Sequence, residues 1–512
     1  MSRTLLLRNG RVLVGDEEST RMASIAVADG RIVAIGPDDR IARTLSHVDE
    51  EIELHGRAVF PGFVDGHCHL ELTAIAFTNH LRVHSPPFGS IAEILSTLSQ
   101  ARAHQPEGWL IARGSFGLQN KVIERRLPQR DELDRVSPGR PLAVLAGLHV
   151  ASLNTAAIEE LGLTEPSRLP EWITVHRDAN GVPNGVFTEV WDRLPTASVA
   201  DVVSALRTHA AAQFSSRGIT SLSTIPTSAN DVRALHRLAQ SEELPLRVRY
   251  FVHVPRTATL DEVLAWGPES GFGDDRLRFG GVKIFVNGEG GDGLGTPRDD
   301  TKWTRPELFN LVRRADQAGI QLMMHAVTPA AIRFACEAVL HARALNSGSG
   351  VVRHRIEHAA DYMDPRDAHL AARAQVGLVA TPHFVEDGDE NTQPLRALID
   401  AGHGIIGASD STGTVPDAIA PLTNIGAAAA RRNHDGTASP HRITAREGIR
   451  MFTRWSAHSV GEEKIKGAIT PGFLADLVIL DADPLDVPVD RIASIRVERT
   501  IVGGRTVFGA ES

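Results

Sequence analysis

Hydrophobic and polar positions follow two different rhythms along this chain. In the first sixty residues short apolar runs are broken by turn signals: "TLLLRNGRVLVG" carries Asn9-Gly10 and "SIAVADGRIVAIG" carries Asp29-Gly30. Such pairs between β-type runs predict hairpins, because both residues accept a positive φ. The far end reads alike, with "LADLVILDADP" and then "VERTIVGGRTVF" turning at Gly503-Gly504. Strand-rich ends around a long middle predict one small β-sandwich built from residues 1–60 and 468–512.

The middle, residues 61–467, changes period. "LRFGGVKIFVNG" is an apolar strand, and "RPELFNLVRRADQAG" an amphipathic helix with Pro306 in its first turn and Gly319 at its end. Then follow "IQLMMHAV", the helix "PAAIRFACEAVLHARAL", the strand "HRIEHAA", a helix around "PRDAHLAARAQVG", then "LVATPHF", "LRALIDAG" and "GIIGASDS". Strand and helix alternating over short links predict βα units and a parallel sheet, hence an α/β protein. That many units in about 200 residues fits a (β/α)8 barrel of the TIM type, with a doubly wound sheet as the alternative. From about residue 80 to 200 the rhythm is lost in pieces such as "HSPPFGS", "RVSPGRPL" and "RDANGVPNG". These predict an irregular insertion after the first barrel strand, covering the mouth of the barrel.

Composition then removes several classes of function. The 54 Lys+Arg against 63 Asp+Glu give a net charge of −9, without the basic excess of a nucleic-acid binder. Cys68 and Cys336, the only cysteines, exclude a disulfide framework and fit a reducing compartment. The start "MSRTLLLRNG" has no signal-peptide apolar core, and no run approaches the roughly 18 apolar residues of a membrane span. A cytoplasmic protein free of membrane is the expectation.

Several strands end in residues that an apolar core would not choose. "VFPGFVDGHCHLEL" places His67 and His69 two apart, so that both imidazoles share one face of a strand while Cys68 turns away. Lys283 lies in "GGVKIFV", His325 ends "LMMH", His358 ends "RIEH" and Asp410 ends "GASD". Each alone has a plain structural reading: a hydrogen-bonded core histidine, a snorkelling lysine, or an aspartate capping the turn at Ser411-Thr412. Four imidazoles, a carboxylate and a lysine at the active-site end of a barrel need a shared explanation, and a divalent metal centre supplies it. The spacing agrees. Lys283 to His325 is 42 residues and His325 to His358 is 33, about one βα unit each, while His358 to Asp410 is 52, about two. The 214 residues from His69 to Lys283 exceed three units unless the insertion supplies the excess.

In this order, "PGFVDGHCHLE", "VKIFVNG", "MMHAV", "RIEHA" and "GASDS" resemble the metal-dependent amidohydrolase superfamily. The branch they resemble includes the N-substituted formamide deformylases. "KGAITPGFLADLVILDADP" is similar to the segment where that family re-enters its β-sandwich, and "GWLIARGSF", "HVASLNTAAIEELG" and "DANGVPNGVF" to its insertion. The resemblance implies that His67 and His69 bind a first metal, with Asp410, and that His325 and His358 bind a second. It implies an N-carboxylated Lys283 bridging the two, since an ammonium has no lone pair to give. One or two ions per chain, zinc in first place, follow from it. It further implies hydrolysis of a non-peptide C–N bond, of amide, N-acyl or N-formyl type, by a metal-activated water whose proton Asp410 takes. His149, His383 and Asn287 are candidates to bind the substrate, although Asn287 stands where an acidic residue is expected. A deaminase or cyclic-amide opener on the same centre is one alternative; a non-catalytic metal-binding regulator or scaffold is another. The expected partner is a small molecule, with a homodimer left open.

Other signals are discounted. Gly288 to Gly293 matches G-x-G-x-x-G, but "LGTPRDDTKWT" intervenes before a helix can start near Thr304, so no helix N-terminus awaits a pyrophosphate. The glycines read instead as a loop at the barrel mouth. Arg431-Arg432-Asn433-His434 reads as a solvated helix end, and Cys336 as core.

Overall fold

Eight parallel strands form the centre of the protein, in a computed structural model that describes residues 3–170, 172–287, 301, 303–346, 352–384, 392–411 and 416–509. In chain order they are Phe63–Cys68, Ile219–Thr224, Arg247–His253, Leu277–Phe285, Gln321–His325, Arg355–Glu357, Gly377–Ala380 and Ile405–Gly407. Each pairs with its chain neighbour in that order. Covered on both faces, they read as apolar runs rather than alternating ones. The helices between them start where local chemistry dictates. Arg305–Gln317 opens on a capping box of Thr304 and Glu307, and Pro329–Leu345 on a Thr328 side chain that accepts the Ala331 N–H. Leu308, Leu311, Val312 and Ala315 then form the buried stripe of the first of these.

The sheet nearly closes on itself. The Asp410 N–H donates to the His67 carbonyl at 2.8 Å, joining the end of the eighth strand to the end of the first. Gly66 makes this approach possible: a Cβ there would lie 2.4 Å from Ile406 Cγ2 and 2.9 Å from the Gly407 carbonyl oxygen. Gly66→Ala is therefore expected to destabilise the protein by about 2 kcal/mol through overpacking. Urea unfolding would show it, and an unchanged midpoint would mean that the seam yields.

Two strands lie between the first and that of Lys283, so three units do span the 214 residues, and the insertion falls in the first of them. The insertion is not irregular, which corrects the sequence reading. It holds a six-stranded mixed sheet in the order Val175–Arg177, Pro183–Thr188, Val150–Leu153, Leu142–Ala146, Leu110–Gly114, Leu81–Arg82. Leu98, Leu133 and Val144 pack on one side of it, and Leu145, Leu153 and Phe187 on the other. Strands of two to six residues between Pro- and Gly-rich loops are too short for a period to be read from them.

Both chain ends join one eight-stranded sheet in which Leu477–Leu480 pairs antiparallel with Ala58–Pro61. The pairing gathers eight strands, from both chain ends, into one hydrogen-bonded sheet. The hairpin turns at Asp29-Gly30 and Gly503-Gly504 form as expected. Asn9-Gly10 does not turn the chain. It forms a bulge inside Thr4–Val12, with Asn9 at φ 57 and Gly10 pressed against Leu54, so the strand bends and continues. Cys336 is core, as read. Arg431 is buried, not solvated, and donates to the carbonyls of Thr392 and Gln393. Among the described residues no helix is long and apolar enough to cross a membrane.

Candidate metal centre

The first strand ends at Cys68, and the chain turns into the helix Leu70–Asn79 straight after His69. His67 and His69 do share a face: their Nε2 atoms lie 3.6 and 3.4 Å from the same oxygen, Asp410 Oδ1. Cys68 turns the other way, its Sγ buried 3.5 Å from the Ser223 carbonyl. Ligand atoms of His67, His69 and Asp410 all lie within 4.8 Å of one another.

Two residues of the site leave ordinary backbone conformation, His358 at φ 64 and Asp410 at φ 45. A left-handed residue without glycine's freedom costs about 1–3 kcal/mol and persists where its surroundings impose it. At His358 this breaks the alternation of the strand, so that consecutive side chains serve the same centre. The His358 ring lies 5.4 Å from that of His67, and its Nε2 is 4.0 Å from Asp410 Oδ2. Glu357, one residue earlier, meets His67 Nδ1 at 2.6 Å.

Glu357 is held in turn by Arg355, whose Nε and Nη2 donate to its two oxygens at 2.8 and 3.0 Å, and whose Nη2 also donates to the Gly66 carbonyl. Burial works to raise the Glu357 pKa, but the charge of Arg355 and the bond from His67 hold it well below the usual carboxylate range. The carboxylate thus accepts from Nδ1 and turns the Nε2 lone pair of His67 toward Asp410. Burial, and next the charge of Lys283, push His67 down to about 3, leaving a neutral imidazole. Burial likewise opposes ionisation of Asp410, yet the interaction with His67 and the hydrogen bond from His69 keep it ionised. Asp65 braces the same seam, accepting from the Ser409 N–H and hydroxyl at 3.0 and 2.5 Å and from the His67 N–H at 3.2 Å.

Lys283 and His325 complete the group. Lys283 is buried on Leu277–Phe285, its Nζ 5.1 Å from the centre of the Phe285 ring. The His325 ring lies 4.7 Å from that of His358, and burial followed by the neighbouring His358 pushes its pKa far down. All six sequence candidates line one cavity of about 410 Å³.

The insertion provides part of the wall. His149 reaches the cavity, its ring 6.1 Å from that of His325 and its Nδ1 2.8 Å from Glu189 Oε1. Glu189 is buried at φ 60, accepts from Trp191 Nε1 at 3.2 Å, and pairs at 3.5 Å with Arg256 from the barrel. Asn287 and His383 are not among the residues lining the cavity. The Asn287 amide ties down the next loop, accepting the Val327 N–H at 2.9 Å and donating to Thr328 Oγ1 at 3.2 Å. His383 is held by its backbone N–H to Asn424 Oδ1, and it is the next residue, Phe384, whose ring comes within 6.2 Å of His358. The glycine-rich loop from Gly288 to Gly293 lies outside the described residues.

Sequence reasoning missed Glu357, Glu189 and Asp65. Glu357 and Asp65 stood inside the quoted motifs, where strand alternation argued against the first. For Glu189, in "GVFTEVW", no signal stood out.

A strand-end constellation of this kind on a barrel with terminal strands from both chain ends defines a class, and comparison agrees: the chain belongs to the amidohydrolase family, whose model matches residues 50–508. It is similar to the N-substituted formamide deformylase of Arthrobacter pascens, 26% identical over 98% of each chain. Among solved structures it resembles an uncharacterized metal-dependent hydrolase from Pyrococcus furiosus (TM-score 0.71, 22% identity, 94% of this chain and 100% of that one). It also resembles the atrazine chlorohydrolase TrzN of Arthrobacter aurescens TC1 complexed with zinc (TM-score 0.55, 16% identity, 98% of this chain and 94% of that one).

Proposed function

We propose that this amidohydrolase cleaves an N-acyl or N-formyl C–N bond of a small molecule, using water activated at a divalent metal centre. The observation that carries the reading is the convergence of His67 and His69 on one oxygen of an ionised Asp410. Imidazole nitrogens gathered around a carboxylate oxygen are a donor set that a cation fits, and nitrogen with carboxylate oxygen suits zinc. His67, His69 and Asp410 would hold one ion, and His325 with His358 a second. Lys283 would bridge them once its Nζ amine has added carbon dioxide and lost a proton. When bound, the ions lower the pKa of water and polarise the scissile carbonyl.

The chain's own groups do the rest. An Asp410 oxygen accepts the proton of the attacking water and returns it to the leaving nitrogen. Glu189 holds His149 by Nδ1, so Nε2 is the nitrogen that faces the substrate. Trp191 and Phe285 furnish apolar walls that exclude bulk water.

Glu189→Gln is expected to lower kcat/KM by about 10- to 100-fold with bound metal unchanged, as loss of a partner that orients an imidazole does. Equal activity in the variant would leave His149 a structural role only. The reading as a whole is tested by supplying zinc-loaded protein with N-formyl and N-acyl amines and assaying the released acid. Release above the metal-free control supports it; none from any of them sinks it.

A further inference from the structure

A second cavity of about 710 Å³ adjoins the first, between the insertion and the barrel, and shares Leu148, Trp191 and Thr227 with it. Leu72, Ile75, Ile111 and Leu194 give it apolar wall. Besides His80, four ionisable side chains also line it, and their partners decide what it takes.

Three are acids, each already engaged by the protein. Asp231 caps a helix, accepting the N–H groups of Thr227 and Ser228 at 3.0 and 2.9 Å. Asp192 lies 3.8 Å from the Arg256 guanidinium. Glu71 accepts from Thr224 Oγ1 at 2.7 Å, leaving its buried Oε1 without a partner. The fourth group is Arg113, on the insertion strand Leu110–Gly114 and only 3% exposed. Its Nη1 donates to the Gly147 carbonyl at 2.7 Å and its Nε to His80 Nδ1 at 3.4 Å. His80 is neutral, pushed down to about 3 by burial and next by Arg113 itself. Among the described residues Arg113 has no carboxylate partner. A buried guanidinium cannot shed its proton, and leaving it without an anion is costly unless a ligand supplies one.

We propose that this chamber is a substrate subsite in which Arg113 binds a carboxylate borne at the far end of an aliphatic arm on the scissile amide. The inference rests on the hydrolase reading for its substrate, though not for its binding chemistry. The apolar walls take the methylenes, Trp191 and Leu148 flank the passage from the metal cavity, and the guanidinium closes the end by charge-assisted hydrogen bonds. An arm ending in a neutral group would leave Arg113 as it stands, and one ending in ammonium would oppose it.

The test has two arms on the zinc-loaded protein. Turnover of N-formylaminocaproate and its shorter homologues is compared with that of N-formylhexylamine and N-formylcadaverine. The carboxylate is expected to be favoured over the neutral compound by about ten-fold or more in kcat/KM. In Arg113→Met that ratio falls to near one, and Arg113→Lys lies between, whatever happens to the absolute rates. A role for Arg113 confined to bracing the Gly147 turn would lower both substrates together and keep the ratio, overturning the proposal. A preference for the cadaverine derivative would overturn it too, since Glu71 would then set the specificity. Should nothing be hydrolysed, calorimetry with caproate and caproamide separates the two claims. Tighter caproate binding in wild type, lost in Arg113→Met, sustains the subsite without the hydrolase reading; equal binding rejects it.

Discussion

Asp410→Asn is expected to keep most of the bound metal and to lose about a thousand-fold or more in kcat. Asparagine matches aspartate in shape and tolerates the left-handed backbone that Asp410 adopts at φ 45, so the seam bond from its N–H to the His67 carbonyl should survive. One side-chain oxygen remains to face His67 and His69. What disappears is the negative charge that accepts a proton from water and hands it to nitrogen. The loss should therefore fall on kcat, with the thermal midpoint near that of wild type. Elemental analysis beside steady-state kinetics would measure both. Near-normal turnover in the metal-loaded variant would place the proton acceptor elsewhere in the cavity.

Lys283→Ala should cut the metal from two ions per chain to one or none, and activity by about a hundred-fold or more. Lys283 is buried among histidines in the cavity wall. As a carbamate the same side chain would supply two oxygens to the cavity that the two histidine pairs line. Wild-type protein stripped of metal and reloaded should regain activity faster with added bicarbonate, while the variant should not respond. One ion per chain in both proteins would keep the hydrolase reading and remove the bridge.

Much of the barrel could be read from sequence because strands buried on both faces and capped amphipathic helices each leave a strong periodic mark. Pro329–Leu345 begins and ends where the quoted stretch does. The six candidates found in one cavity were legible because histidine, lysine and aspartate at the ends of apolar strands contradict their surroundings. The rest depended on conformations that no residue type announces. Glu357 and His358 serve one centre because His358 is left-handed, which defeats the rule of alternate faces. Glu189 acts through a pairing between insertion and barrel that joins residues far apart in the chain. Asn287 and His383 looked well placed in sequence, but the Asn287 side chain binds the next loop, and neither residue is among those lining the cavity.

The sheet shared by the two ends of the chain constrains how the protein is made. Ala58–Pro61 receives its partner Leu477–Leu480 only after more than four hundred further residues have left the ribosome. At translation rates of about 5–20 residues per second that is a wait of roughly 20–80 s. Throughout it the amino-terminal strands present an unpaired β edge that any other nascent chain can join. The barrel must therefore be folding while its anchor is incomplete, and a chain released early carries that edge permanently.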